Sequence, residues 1–204
     1  LESRWGLGQG FDKYSDEFDL SKYKEISLGT VQKTGEEVVN DAIAWLDTVK
    51  SRKFFGWVHL YDPHTPYDPP EPFASQFPNQ PYLGEIAYTD AQVGRLIEWL
   101  KTNGLDRNTV VVVTGDHGES LGDHGEATHA YFVYDATMHV PLIVRTPWAL
   151  TGRSRTQVAS VDIFPTLLDL LNLPPQAGID GHSLARGLLD PGVELGHQAY
   201  AESY

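Results

Sequence analysis

The chain has 204 residues, 41% of them hydrophobic and 21% charged, a length and composition that fit one soluble globular domain with a genuine core and exclude miniproteins, disordered chains and fibrous repeats. Its 15 Lys and Arg stand against 28 Asp and Glu, a formal net charge of -13, so the field of the molecule repels polyanions and no nucleic acid is expected as a partner. With no cysteine, disulfides, thiolate metal sites and a cysteine nucleophile are excluded within these residues.

The first thirty-odd residues, from Trp5-Gly6-Leu7-Gly8 through Phe11-Asp12 to Tyr23, mix aromatics, acids and glycines without a clear period and read as an irregular lead-in. Thr34-Gly35-Glu36-Glu37 has the form of a capping box, and Val38, Val39, Ala42, Ile43, Leu46 and Val49 follow at helical spacing, which predicts a helix ending near Lys50. Phe54 to Leu60 is short, aromatic and β-branched, the pattern of a buried strand. The loop after it, Tyr61 to Pro70, contains four prolines and holds His64 in a stiff backbone. A second amphipathic helix is predicted from Gly84 to about Lys101, closed by Asn103-Gly104.

Strands are then predicted at Thr109 to Thr114 and Val140 to Arg145, and a short one at Val158 to Val161. Asp162 reads as the cap of a helix containing Phe164, Leu167, Leu168, Leu170 and Leu171, stopped by Leu173-Pro174-Pro175. Helices alternating with continuous apolar strands predict an α/β domain, a mostly parallel sheet flanked by helices. The longest aliphatic runs, Val110 to Val113 and Val140 to Val144, fall far short of the ~20 residues of a membrane-spanning helix. The start at Leu1, the single methionine at Met138 and an end at Ala201-Glu202-Ser203-Tyr204, within what reads as a strand, predict an incomplete segment of a longer protein. Its compartment stays open, with the periplasm and the extracellular space both compatible.

Chemistry concentrates just beyond the strand ending at Thr114. The pentapeptide Gly-Asp-His-Gly-Glu occurs there twice, seven residues apart, at Gly115 to Glu119 and Gly122 to Glu126, with His129 close behind. In open α/β sheets ligands bind beyond the carboxyl ends of strands, and Asp116 with His117 offers a carboxylate and an imidazole to a divalent ion. Two ligands do not complete a site, so others must join them. His64, held among prolines, is a candidate hydrogen-bond donor to a bound anion or leaving group. Between Phe54 and Val144 the cations are Arg95, Lys101 and Arg107, so an anion site here draws its positive charge from a metal and histidines.

Together these blocks resemble a known family. Phe55-Gly56-Trp57-Val58-His59-Leu60-Tyr61-Asp62-Pro63-His64-Thr65-Pro66-Tyr67, Gly84-Glu85-Ile86-Ala87-Tyr88-Thr89-Asp90, Thr114-Gly115-Asp116-His117-Gly118-Glu119-Ser120-Leu121-Gly122, Val140-Pro141-Leu142-Ile143 and Val161-Asp162-Ile163 with Pro165-Thr166-Leu167-Leu168-Asp169 occur in the order found in sulfatases of the alkaline phosphatase superfamily. The resemblance implies an alkaline phosphatase-like fold, with residues 1–204 as one partial catalytic domain hydrolysing sulfate esters of small molecules or carbohydrates.

It further implies one divalent metal ion, calcium in most of the family, with manganese or zinc as alternatives. By resemblance Asp116 and His117 are metal ligands, while His64 and His129 serve the substrate, His129 standing where many members carry a lysine. The second Gly-Asp-His-Gly-Glu copy, with Asp123 and His124, is expected to be structural. The family's nucleophile is a formylglycine or a hydroxyl residue in a Cys/Ser-x-Pro-x-Arg motif, which these residues lack; it is expected outside this chain, and the chain alone is expected to be inactive. His117 occupies a position where many sulfatases have Asn, as in branches that cleave phosphodiesters or phosphonate esters, which makes such a hydrolase the alternative activity. A non-catalytic binding segment is the alternative of another class.

Overall fold

Thr34 begins the first long helix as its sequence predicts: its hydroxyl accepts the Glu37 N–H at 3.2 Å, and the Glu37 carboxylate accepts the Thr34 N–H at 3.1 Å. The computed structural model containing this helix describes residues 3–17, 21, 31–148, 151–190, 192–193, 195 and 198–203. It divides into two units, residues 1–106 and 107–204. Much of the irregular lead-in, residues 18–20 and 22–30, lies outside the described residues.

Unit 1 is helical. α1 (Gly35–Val49) and α3 (Pro81–Thr102) pack together, with the short α2 (Phe73–Gln76) against α3. Val39, Leu46 and Val49 of α1 and Tyr88 and Leu100 of α3 are the buried apolar residues here. Pro81 sits in the first turn of α3, where no N–H is missed, and so starts the helix earlier than the predicted Gly84. At its other end Gly104, at φ 68°, donates to the Lys101 carbonyl at 3.0 Å, and Leu105 donates to that of Leu100 at 2.9 Å. This is a Schellman stop.

The start of α1 is also held from a distance. Asp62 accepts the Gly35 N–H at 2.9 Å, and the Tyr88 hydroxyl accepts the Glu36 N–H at 2.7 Å. Burial pushes the Asp62 carboxyl above its ordinary range, and the backbone hydrogen bond offsets only part of that rise. Burial likewise raises Glu85 of α3. A carboxyl raised in the folded state adds stability that is full below its unfolded pKa and is lost as pH rises through the folded one. Unit 1 is therefore expected to lose stability on this account from about pH 4 toward neutrality. Asp62→Asn keeps an acceptor for Gly35 and should flatten that loss in denaturant titrations followed by tryptophan fluorescence. An unchanged slope would count against it.

The predicted strand from Phe54 to Leu60 is not formed among the described residues. Phe54, Val58 and Leu60 are half-buried, while Phe55 and Trp57 are 60% and 68% exposed. Apolar alternation gives a segment strand character, but a ladder also needs a neighbouring strand's N–H and C=O groups.

Unit 2 contains a two-stranded sheet, β1 (Val111–Thr114) and β2 (Leu142–Arg145), running antiparallel with Val111 opposite Arg145 and Thr114 opposite Leu142. The expectation of a mostly parallel sheet is corrected for these strands. A parallel return needs a crossover of a dozen or more residues, usually helical, whereas the chain between them forms a loop and only the four-residue α4 (Asp135–Met138). The predicted strand at Val158 to Val161 is corrected too: Ser160–Asp162 is a 3₁₀ turn.

That turn leads into α5 (Ile163–Leu170), and α6 (Ala185–Leu189) follows. Val112 and Val144 line a small apolar cleft with Ile163, Leu167 and Leu184. Asp162 does not cap α5 with its side chain. Buried, it accepts the Ala159 N–H at 2.8 Å and the His182 N–H at 2.8 Å, tying the loop before α6 to the start of α5. No helix among the described residues is long and apolar enough to cross a membrane.

Candidate active site

β1 ends at Thr114, and the next turn presents Asp116 and His117, whose side chains remain 80% and 42% exposed. Asp116 Oδ1 accepts the His117 backbone N–H at 3.0 Å and lies 3.9 Å from His117 Nε2. His117 Nδ1 is 2.8 Å from the Gly118 carbonyl. A carbonyl only accepts, so Nδ1 donates, and Nε2 is the nitrogen that faces the Asp116 carboxylate. That is the arrangement by which an outer partner orients a metal-ligating imidazole.

His129 lies beside this pair. Its ring centroid is 4.0 Å from that of His117, the planes tilted by 30°. Its Nδ1 faces the carboxylate of Glu119 at 3.3 Å. Glu119 is almost fully buried, with 5% of its side chain exposed. The loop between them folds around Glu126, a buried carboxylate that accepts from Ser120 Oγ at 3.2 Å and from the Tyr131 N–H at 2.7 Å. The Ser120 N–H donates to the Thr128 carbonyl at 2.8 Å and the Gly118 N–H to the Thr137 carbonyl at 2.7 Å. The loop therefore has hydrogen bonds across its middle as well as at its ends.

In the second copy of the pentapeptide, Asp123–Gly125 is a 3₁₀ turn with His124 at φ 53°. The His124 ring stacks on Tyr134 at 3.8 Å. This copy follows no strand.

His64 belongs to unit 1. Its Nδ1 is 2.6 Å from the Thr65 carbonyl, and so donates; its ring stacks on Tyr61 at 4.2 Å, with Nε2 3.2 Å from the Tyr61 hydroxyl. Both ring nitrogens thus have a partner, Nδ1 the Thr65 carbonyl and Nε2 the Tyr61 hydroxyl. Of the residues singled out in the sequence, Asp116, His117 and His129 come together in unit 2, and His64 is held in the proline loop of unit 1.

A divalent ion can be tested against these donors. Asp116 supplies a carboxylate and His117 an oriented Nε2, spaced closely enough for one ion to touch both at bond lengths of ~2.0–2.4 Å. They supply two donors suited to such an ion, and among the described residues no group of three or more His, Asp or Glu side chains is placed to hold a metal. Sequence reasoning missed Glu119 and Glu85. The first had no signal beyond the motif, and the second could have been noticed as a lone acid on the apolar face of a helix.

The family profile described as Sulfatase matches residues 3–173. The chain is 36% identical over 104 residues to Arylsulfatase K of Bos taurus, which covers 50% of this chain and 19% of that protein. It is 36% identical over 105 residues to the N-acetylglucosamine-6-O-sulfatase of Bacteroides thetaiotaomicron, again 50% of this chain and 19% of that protein. Its fold matches the phosphonate monoester hydrolase SpPMH from Silicibacter pomeroyi with a TM-score of 0.71 at 22% identity, covering 96% of this chain and 51% of that one. The chain spans 19% of the length of these curated relatives and 51% of the solved hydrolase. The profile match runs from the helical unit through the Asp116 loop to α5, and on it the chain belongs to the sulfatase family of the alkaline phosphatase superfamily.

Proposed function

We propose that the full-length protein is a metal-dependent sulfate-ester hydrolase to which this chain contributes Asp116 and His117 as metal ligands and His64 and His129 as substrate-binding groups. The observation that carries the reading is the cluster at the end of β1, where an oriented His117 lies 3.9 Å from the Asp116 carboxylate and 4.0 Å, ring to ring, from His129. Sulfated esters, small or carbohydrate-borne, are the proposed substrates, in line with the curated relatives' names.

In this mechanism a divalent ion, held by Asp116, His117 and donors outside these residues, would supply the positive charge that polarises the ester and lowers the pKa of a nucleophile. His129, its Nδ1 turned to Glu119, offers Nε2–H in its protonated form to a sulfuryl oxygen. His64, its Nδ1 turned to Thr65 and its Nε2 3.2 Å from the Tyr61 hydroxyl, in its protonated form offers Nε2–H to the leaving oxygen and can pass it a proton as the ester bond breaks. Calcium is the metal proposed from the family. The imidazole of His117 favours zinc or manganese, and the same residue supports a second reading, hydrolysis of phosphodiesters or phosphonate esters.

The test is turnover of aryl sulfate, aryl phosphodiester and phosphonate monoester by the full-length protein and by this chain, with calcium, manganese or zinc added. The full-length protein should hydrolyse aryl sulfate fastest, metal-dependently, and the chain alone should hydrolyse none. Faster cleavage of the phosphorus esters would establish the second reading. Activity in the chain that survives Asp116→Ala would refute both.

A further inference from the structure

Glu85 lies within α3 and is only 3% exposed, although it is a carboxylate on the helix face that packs inward. Such a group is costly to bury unless both oxygens are satisfied. Here each oxygen has a partner, and both partners come from the proline loop: Oε2 accepts the His64 N–H at 3.0 Å and Oε1 accepts the Asp68 N–H at 2.8 Å.

The surrounding helix is shaped to the same loop. Gly84 permits close approach, since a Cβ there would stand 2.8 Å from Pro69 Cγ. One turn on, Thr89 Oγ1 donates to the Asp62 carbonyl at 3.1 Å. Gly84, Glu85 and Thr89 therefore bind the loop on either side of His64 and at its own amide. The imidazole is in turn bound to the loop backbone through Nδ1 and the Thr65 carbonyl. The ring is thus held by Thr65 and by Tyr61, on which it stacks, and the loop that carries it is held by Gly84, Glu85 and Thr89.

We infer that Glu85 is a positioning residue for His64: its buried carboxylate clamps the His64 and Asp68 amides and thereby fixes the imidazole that meets the substrate. The inference rests on the proposed role of His64, and it assigns to Glu85 an effect on turnover that operates only through that histidine. A carboxylate clamp on two backbone donors suits this task because it fixes direction as well as distance.

A double-mutant cycle in the full-length protein tests it, with wild type, Glu85→Gln, His64→Ala and the double variant assayed on aryl sulfates of graded leaving-group pKa. Gln keeps one acceptor and loses the other. Glu85→Gln should lower kcat/KM by roughly 10- to 100-fold, most for poor leaving groups, as His64→Ala does more strongly. In the His64→Ala background the same change should cost less than about 3-fold. Equal penalties in both backgrounds, or none in either, would overturn the clamp. Full activity in His64→Ala would overturn the role of His64 and the clamp with it.

A second measurement needs no activity. Amide hydrogen exchange on this chain should show the His64 and Asp68 amides losing at least about 10-fold of their protection in Glu85→Gln while the amides of α3 keep theirs. Unchanged exchange at those two amides would overturn the clamp whatever the kinetics show. Loss of protection along all of α3 would do so as well, since Glu85 would then be supporting the helix and not the loop.

Discussion

In the full-length protein, Asp116→Ala and His117→Ala are each expected to remove bound metal and to lower kcat/KM by about 10³-fold or more, because each deletes one of the few donors able to hold the ion. His124→Ala is expected to retain most of both. The contrast is informative because the two histidines occupy the same place in identical pentapeptides. Only the first copy emerges from a strand, and its His117 has Nδ1 engaged by the Gly118 carbonyl and Nε2 3.9 Å from Asp116 Oδ1. His124 instead covers Tyr134 at 3.8 Å, so its loss should remove a ring contact worth roughly 1 kcal/mol. Elemental analysis of the purified variants, read beside turnover, decides the matter. Equal metal loss from His124→Ala would mean that the second copy is the ligand pair.

Local chemistry was legible in the sequence and pairing across distance was not. The cap at Thr34 and the stop at Asn103-Gly104 each depend on residues within one turn of chain, and both stand in the structure as read. The place of Asp116-His117 just beyond a strand was legible for the same reason: a motif after an apolar run is a local event, and β1 does end at Thr114. Strand direction was not, because Val110 to Val113 is equally apolar in a parallel or an antiparallel neighbourhood. What sets the direction of β2 is the lack of a long helix between 115 and 141, and the sequence there offers no sustained helical period against which to notice it.

The supporting carboxylates were hidden by the same physics. Glu119 meets His129 across ten residues of irregular loop, and Glu85 meets the His64 amide across 21. Neither pairing leaves a periodic trace. Both are acids placed where their environment is nearly dry, and a buried acid must find donors. An acidic residue at a helix position whose neighbours face inward, as Glu85 is between Gly84 and Tyr88, is therefore a signal that something remote is being held, though not of what.

The closest approach in the site loop leads to the other large effect, at Gly118. A Cβ built there would overlap the Ala136 carbonyl oxygen and stand 3.2 Å from Thr137 Cα. These are backbone atoms and cannot swing aside. Thr137 is also fixed from its own side, buried at 3% exposure with its hydroxyl donating to the carbonyls of Phe132 at 2.8 Å and Tyr134 at 3.1 Å. In Gly118→Ala the strand-end turn must therefore move away from α4 and lose the 2.7 Å bond from the Gly118 N–H to the Thr137 carbonyl. Strain and the lost bond together should cost unit 2 about 2–4 kcal/mol. The Gly118 carbonyl that orients His117 moves with the turn, so metal affinity should fall by roughly 10- to 100-fold even where the variant folds. Gly125→Ala is the control: that glycine has φ 81° but open space around it, so alanine there meets only the left-handed backbone penalty of about 1 kcal/mol. Denaturant titration of the two variants, with metal content measured on the full-length protein, should rank Gly118 far above Gly125 in both quantities. Similar stability of the two would show that the loop yields to the added methyl and that the contact with Ala136 does not hold the site in place.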